Sequence, residues 1–164
     1  MFNSYFGLER AVCIPPNIKM LGPINKEPSE LMEILKEKDM KLYEWLEEAK
    51  TSQTPVIYIS LGSIVELQAW SVNAIYDGLK NLGYKVIWSL NDKWRPLLKE
   101  DPDKDPNFWV SGWLPQIEVL NHDAVLCGLT HCGWGGLIEF VSAGKPVVTF
   151  PHFADQTDNS VMIC

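Results

Sequence analysis

The sequence predicts an α/β fold, a doubly wound parallel sheet with helices on both faces. The first observation is that short β-branched apolar segments alternate with segments of helical periodicity from residue 56 onward. The second is that these apolar segments contain few polar residues, as in strands covered on both faces. The third is size, because 164 residues, 46% of them hydrophobic, suffice for one domain with its own core.

Each element follows from its local pattern. Residues 1–30 carry several prolines and are expected to be irregular. The pattern of residues 29–50 predicts one amphipathic helix, because apolar side chains recur along one stripe and Ser29 can cap its N-terminus. The predicted strands are 56–60, 85–90, 108–110, 125–130 and 146–150. The predicted helices that accompany them are 67–82, 93–99, 115–120, 134–141 and 155–163.

The charge balance argues against some classes of partner. Fourteen Lys and Arg against 21 Asp and Glu give a net charge of −7, and the pI is near 4.9. We therefore expect neither a broad nucleic-acid-binding face nor a polybasic membrane patch. No apolar run approaches the roughly 18–20 residues of a spanning helix, and the N-terminus lacks a signal-peptide pattern. The sequence predicts a cytoplasmic chain without a membrane segment.

The four cysteines are too few and too scattered for a disulfide framework in a chain of this size. A metal site could be drawn from His122, Cys127, His131 and Cys132. However, Cys132 would point away from the face that Cys127 and His131 share, and no C-x-x-C pair occurs. The sequence therefore predicts free thiols and no metal site.

The loop Thr130–Gly136 carries the clearest chemistry. A predicted strand ends there, three glycines fall within four residues, and a helix begins. Glycine lets a ligand approach the backbone, and a helix N-terminus offers N–H groups with partial positive charge. His131 adds a side-chain donor, so the loop favours a phosphate or diphosphate over a plain tight turn. Neither the G-x-G-x-x-G nor the Walker spacing is present.

Weaker candidates lie near the predicted carboxyl ends of other strands, where ligands of such sheets bind. Ser63 could face a phosphate or simply cap a loop. Trp113 could fill the core or form a platform for a base. Glu139 could bind a ribose diol or interact with the helix dipole. Asp155 and Gln156 suit sugar hydroxyls, although they could also cap a helix.

The order of these residues resembles a known family signature. The stretch from Trp113 through the loop Thr130–Gly136 to Gln156 closely resembles the donor-binding signature of the family 1 UDP-glycosyltransferases. Its 44 residues have the length of the signature in the plant enzymes, with no gap. Residues 3–9 resemble the end of the N-terminal domain of that family, residues 16–23 its interdomain linker, and residues 56–63 the first strand of its C-terminal domain.

The resemblance implies a Rossmann-like domain, the C-terminal half of a two-domain GT-B glycosyltransferase. Residues 1–50 would then comprise the end of the N-terminal domain, the interdomain linker and a linker helix. Residues 51–164 would form the UDP-sugar-binding domain, truncated at its C-terminal end.

The resemblance also implies roles for individual residues. The tryptophan that matches Trp113 stacks on uracil, with the glutamine that matches Gln116 beside the same base. The glutamate that matches Glu139 binds the ribose hydroxyls. His131, the backbone that follows it and Ser63 would hold the diphosphate, while a final Asp-Gln pair would grip the sugar. The implied UDP-sugar-binding residues are Ser63, Trp113, Gln116, His131, Gly133, Trp134, Gly135, Gly136, Glu139, Asp155 and Gln156.

The implied reaction is inverting, metal-independent transfer of a hexose from a UDP-sugar donor to an acceptor, without a cofactor. His131 would stabilise the diphosphate leaving group, because fixed donors offset charge that grows in the transition state. Gln156 favours glucose, although glucuronosyltransferases carry the same pair. A small-molecule or lipid acceptor and the general base would belong to the N-terminal domain. No catalytic residue is therefore expected in this chain, which would be inactive alone.

Gly135 and Gly136 depart from the family pattern, because plant members usually have Asn and Ser there. Only backbone N–H groups would then contact the diphosphate at these positions. Two alternatives to the transferase remain open. One is a non-catalytic UDP-sugar-binding fragment or degenerate homologue, and the other is a nucleotide-sugar epimerase of the same fold.

Overall fold

The computed structural model describes residues 2–3, 8, 13–22 and 28–164. Within these residues the strands are β1 (Phe2–Asn3), β2 (Met20–Leu21), β3 (Val56–Ser60), β4 (Lys85–Ser89), β5 (Phe108–Ser111), β6 (Val125–Thr130) and β7 (Val147–Thr149). The α-helices are α1 (Pro28–Lys38), α2 (Met40–Thr51), α3 (Ala69–Leu79), α4 (Gln116–Leu120), α5 (Trp134–Ser142) and α6 (Gln156–Ile163). Short 3-10 turns occur at Arg95–Leu97 and Pro102–Lys104.

Five of the described strands form one parallel sheet in the order β5-β4-β3-β6-β7. From β3, the next two strands β4 and β5 lie on one side, and β6 and β7 then lie on the other. The predicted doubly wound parallel sheet is therefore confirmed. Ser60 at the end of β3 pairs in register with Ser89 of β4 and Thr130 of β6. The change of direction leaves a crevice outside the carboxyl ends of β3 and β6, where such sheets bind ligands.

Helices cover both faces of the sheet. Successive residues of a strand point to opposite faces, and β3 shows this with two fully buried side chains. Tyr58 packs in a cluster with Leu46 of α2 and Phe140 of α5. Ile59 packs in a second cluster with Val72 of α3. The carboxyl end of β3 is therefore held between two packed layers, which makes it a rigid support for the loops that follow.

The prediction of a single helix over 29–50 is wrong. The chain forms α1 and α2, which are separated by Asp39 in a non-helical conformation (φ −155°, ψ 86°). Asp39 Oδ1 accepts a hydrogen bond from the N–H of Leu42 at 3.0 Å and so caps the second helix. Ser29 lies inside α1 and does not precede it. An aspartate in a charged helical segment carries no distinct signal, although its side chain competes for backbone N–H groups.

The third helix is shorter than predicted. It spans α3 and not 67–82, and its buried residues include Ser71, Asn73 and Tyr76. Trp70 and Leu82, which both fall within the predicted helix 67–82, are exposed. Residues 93–99 contain only a 3-10 turn. The predicted strands agree with the observed bounds to within one residue at each end.

The N-terminal segment is described only in part. Among its described residues, β1 and β2 pair in parallel, so the expectation of a wholly irregular stretch is wrong there. Most of residues 3–9, which resemble the end of the N-terminal domain, lie outside the described residues, and so does residue 23 of the predicted linker. None of the described helices is long and apolar enough to cross a membrane.

Candidate functional site

A cleft of about 720 Å³ opens at the carboxyl ends of β3 and β6. Loops after β3, β5, β6 and β7 converge there, as the sheet order requires. Every site residue predicted from the sequence lines this cleft: Ser63, Trp113, Gln116, His131, Gly133, Trp134, Gly135, Gly136, Glu139, Asp155 and Gln156. The structure thus brings together residues that are spread over more than ninety positions of the chain.

Trp113 lies at one end of the cleft, which we call the tryptophan end (Trp113, Gln116 and Glu139). Its side chain is 69% exposed, so it does not fill the core. The hydroxyl of Ser111 donates to the Trp113 carbonyl at 2.8 Å and fixes the loop. Lys38 Nζ lies 5.9 Å from the centre of the indole ring and 2.6 Å from the buried Glu118 carboxylate. An exposed aromatic face with a fixed backbone is suited to stacking on a planar ligand.

A row of hydrogen bonds orients the other two residues of this end. The Tyr58 hydroxyl donates to Gln116 Oε1 at 3.0 Å, and Gln116 Nε2 donates to Glu139 Oε2 at 2.7 Å. Burial raises the pKa of Tyr58, so its hydroxyl keeps its proton and the Gln116 amide has one orientation. Burial also raises the pKa of Glu139, against the opposing effect of the Gln116 hydrogen bond.

Glu139 is the sixth residue of α5 and lies beyond the first turn, so interaction with the helix dipole does not explain its position.

His131 forms the centre of the histidine end of the cleft (Gly62, His131 and Gly133–Gly136). Its imidazole lies between two glycines, because a Cβ at Gly62 or at Gly133 would collide with the ring. His131 Nδ1 lies 3.3 Å from the Ser60 carbonyl oxygen. That carbonyl can only accept, so it favours the tautomer with the proton on Nδ1. Burial lowers the pKa of His131.

The first turn of α5 supplies backbone donors at the same end. The helix begins at Trp134, with Gly133 in an extended conformation as its N-cap, and N–H groups of a first turn have no acceptor within their own helix. A Cβ at Gly135 would meet no heavy atom of the described residues within 4 Å, and one at Gly136 would lie 3.5 Å from Gln116 Nε2. The backbone therefore does not require glycine at these two positions, and the missing side chains leave space beside the helix N-terminus.

Asp155 and Gln156 line the cleft at the start of α6. Gln156 Oε1 accepts from the N–H groups of His152 at 2.8 Å and Phe153 at 3.1 Å. This bonding occupies the amide oxygen and leaves Nε2 as the group that can donate to a ligand. Asp155 occupies the N-cap position without capping the helix through its side chain. Its Oδ2 accepts instead from Asn159 Nδ2 at 2.9 Å.

Sequence reasoning missed Lys38, which lines the cleft, and Tyr58 and Asn159, which support it from behind. Tyr58 falls within the predicted strand 56–60, and Lys38 is one of several lysines and glutamates in the predicted helix 29–50. Asn159 follows Asp155 by four residues, the spacing of neighbours on one helix face. That spacing was the signal that could have found it.

The alternative metal site finds no support in the structure. Within the described ranges, no group of three or more His, Cys, Asp or Glu side chains is placed to hold a metal ion. His122 is buried, with Nε2 2.9 Å from Glu47 Oε1 and Nδ1 accepting from the Ala124 N–H at 3.2 Å. It therefore joins α2 to the start of β6, away from His131.

Comparison with known proteins agrees with this geometry. The chain is 30% identical to scopoletin glucosyltransferase of Nicotiana tabacum, over 99% of this chain and 37% of that protein. The structure of an anthocyanidin 3-O-glucosyltransferase in complex with UDP has a TM-score of 0.65 at 28% identity, over 72% of this chain and 27% of that one. The structure of Os79 from O. sativa in complex with U2F and trichothecene has a TM-score of 0.73 at 27% identity, over 88% and 33%.

These matches confirm the predicted Rossmann-like α/β class. The chain spans about a third of the length of the curated relatives that it matches over nearly its whole length. The family described as UDP-glucoronosyl and UDP-glucosyl transferase matches residues 1–163. The chain therefore belongs to the UDP-glucuronosyl and UDP-glucosyl transferase family.

Proposed function

We propose that the chain binds a UDP-sugar in this cleft and supplies the donor-binding half of an inverting UDP-hexosyltransferase, with glucose as the favoured sugar. The observation that carries the proposal is that all the signature residues line one cleft, in a chain similar to a glucosyltransferase solved with UDP. The cleft volume of about 720 Å³ suits a ligand of this size. In the proposed division, residues 51–164 form the donor domain and residues 1–50 connect it to the N-terminal domain.

The nucleoside would occupy the tryptophan end. Uracil stacks on the exposed indole of Trp113, with Gln116 beside it. The Glu139 carboxylate accepts from the ribose hydroxyls, and its hydrogen bond to Gln116 holds it in place while the ligand is absent. A carboxylate accepts such bonds more strongly than a neutral group, so this end selects a ribonucleotide.

The diphosphate would occupy the histidine end. N–H groups of the first turn of α5 and the Ser63 hydroxyl point donors at its oxygens, and the His131 imidazole adds a donor when it is also protonated on Nε2. When the sugar moves to the acceptor, the bond from the anomeric carbon to the diphosphate oxygen breaks and UDP leaves with the electron pair. Donors that are fixed beforehand stabilise this growing charge without reorganising. His131 therefore acts on the leaving group and does not serve as the general base.

The sugar would extend toward α6. There the Asp155 carboxylate accepts from hydroxyl groups and the Gln156 amide, whose oxygen is already occupied, donates. The acceptor attacks from the opposite side of the anomeric carbon, which inverts its configuration. The acceptor, a small molecule or lipid, and the general base are assigned to the N-terminal domain. We place the protein in the cytoplasm.

A second candidate is a chain that binds UDP-sugars without transferring them. The observation in its favour is the pair Gly135 and Gly136, which leave the diphosphate without side-chain contacts at these positions. Both candidates require UDP binding in the same cleft.

The decisive experiment is calorimetric titration of UDP into the folded chain and two tryptophan variants. Trp113→Ala removes the stacking surface and should weaken UDP binding about tenfold or more, as expected for one base stacked on an aromatic ring. Trp70→Ala is the matched control, because Trp70 is similarly exposed, at 72% against 69%, but lies on α3 outside the cleft. It should leave the affinity unchanged. A folded chain that gives no UDP binding would exclude the proposed function.

A further inference from the structure

We infer that Asn159 is a positioning residue that ties the sugar-facing carboxylate of Asp155 to the loop around His131. The two N–H bonds of its side-chain amide go to different parts of the site. Asn159 Nδ2 donates to the Cys132 carbonyl at 2.9 Å and to Asp155 Oδ2 at 2.9 Å. The side chain is only 8% exposed, so water does not substitute easily for either partner. This inference rests on the proposed function.

The bond to Cys132 sets the direction of a donor on the other side of the loop. A trans peptide is planar, and its C=O and N–H point in opposite directions. Fixing the Cys132 carbonyl toward Asn159 therefore fixes the N–H of Gly133 toward the opposite side. Gly133 lines the cleft at the histidine end. Asn159 thus directs a backbone donor at the diphosphate without touching it.

Cys132 needs this support because its backbone is strained. Its φ of 64° lies in the left-handed region, which a residue with a Cβ occupies at a cost. The hydroxyl of Thr130 accepts from the Cys132 N–H at 3.1 Å, and Asn159 holds its carbonyl. Side-chain bonds on both sides of the residue hold the turn in the conformation that brings Gly133 against the imidazole of His131.

The bond to Asp155 orients the second half of the site. Asp155 is itself exposed, so without a partner its carboxylate would sample several rotamers. Asn159 lies one helical turn later and holds one oxygen, which leaves the other available to a sugar hydroxyl. A single buried amide thereby fixes the diphosphate loop relative to the sugar-binding carboxylate.

The test is a double-mutant cycle read with two ligands, UDP and UDP-glucose, by calorimetry on the folded chain. Asn159→Ala should weaken binding of both, and the loss for UDP-glucose should exceed the loss for UDP about fivefold, because only UDP-glucose uses Asp155. In an Asp155→Ala background this excess should vanish. Asn73→Ala is the matched control, because Asn73 is 7% exposed and its amide also donates to two acceptors, the backbone carbonyls of Ala69 and Leu97.

The outcomes separate the two proposals. If the parent chain does not bind UDP, the proposed function fails and this inference fails with it. If it binds UDP but Asn159→Ala weakens both ligands equally, or Asn73→Ala gives the same excess, only the inference is overturned. Should Asn159→Ala not fold, side-chain amide NMR of the parent chain decides. The Asn159 resonances should shift further with UDP-glucose than with UDP, and equal shifts overturn the inference.

Discussion

The two ends of the cleft are built from different parts of the polypeptide. At the tryptophan end the groups that face the cleft are side chains, and the row Tyr58–Gln116–Glu139 holds two of them from behind. At the histidine end they are mostly backbone N–H groups at the start of α5, with glycines against a single imidazole. In the proposed function, the tryptophan end would recognise the ligand through side chains, and the histidine end mainly through exposed backbone.

This difference predicts opposite sensitivities to substitution. The tryptophan end should lose affinity when atoms are removed, as in Trp113→Ala. The histidine end should lose affinity when atoms are added where the imidazole is close, and should tolerate them where space is open. The glycines of the histidine end are therefore not equivalent, and variants at two of them and at Glu139 test the comparison.

The largest effect is expected for Gly133→Ala. The backbone at Gly133 (φ −62°, ψ 137°) is allowed for any residue, so alanine meets no conformational penalty there. Its methyl group would collide with His131 Nε2 and must displace the ring or the loop. Displacement of a binding group by about 1 Å is enough to cost about 100-fold. Calorimetry should therefore find UDP affinity lowered by at least that factor.

Gly78→Ala provides the control for this variant. Gly78 lies within α3, and a Cβ there would meet no described atom within 4 Å. The substitution should raise the free energy of unfolding by about 0.5–1 kcal/mol and leave UDP affinity unchanged. Full UDP affinity in folded Gly133→Ala would refute the placement of the diphosphate beside His131.

An intermediate effect is expected for Glu139→Gln at the tryptophan end. Near neutral pH the variant should bind UDP-glucose about tenfold more weakly, because an amide oxygen accepts from ribose hydroxyls less strongly than a carboxylate. Burial raises the pKa of Glu139, so acidification through that raised pKa should protonate the carboxyl and weaken binding by the parent chain. Glu139→Gln should show no such loss of affinity on acidification, because its amide does not titrate.

The pH profile of UDP-glucose affinity separates this group from His131. Burial lowers the pKa of His131, and protonation of the imidazole should favour the anionic diphosphate. Of these two groups, Glu139→Gln keeps only His131, so its affinity for UDP-glucose should rise as the pH falls. In the parent chain, protonation of Glu139 should cancel part of that rise in affinity. Parallel pH profiles would show that Glu139 does not contact the ligand.

The sheet and several candidate residues of the cleft follow from local patterns, whereas Gln116 and the assignment of the whole set to one ligand came from the family resemblance. Apolar β-branched runs located the strands, and the rule that ligands bind at their carboxyl ends gathered loops that are distant in the chain. Trp113 and Glu139 had competing structural explanations, core filling and the helix dipole. Exposure of the indole and the mid-helix position of the carboxylate removed those explanations.

The supporting contacts could not be predicted because they join residues with no local signal. The Tyr58 hydroxyl reaches Gln116 across 58 positions, and Lys38 reaches Glu118 across 80. Both residues fitted their local patterns, a buried strand and a charged helix face. The break at Asp39 was missed for a different reason, since a capping aspartate and a solvated one are the same letter in a charged segment.

The smallest effect is expected for Gly135→Asn, and it has the opposite sign. A Cβ at this position would meet no heavy atom of the described residues within 4 Å, so we expect the side chain to be accommodated without displacing His131. The amide adds a donor beside the N–H groups of the first turn of α5, where an anion is already favoured. UDP affinity measured by calorimetry should rise about threefold, which is within the range of one solvent-exposed hydrogen bond.

The gain must be separated from the general benefit of removing a helical glycine. Gly78→Asn makes the same substitution in α3, at a position where a Cβ would have no close neighbour, so it changes helix propensity alone. It should change the unfolding free energy by a few tenths of a kcal/mol, as Gly135→Asn does, without changing UDP affinity. If Gly135→Asn instead weakens UDP binding, the ligand itself occupies the space beside the helix N-terminus, and the added side chain competes with it.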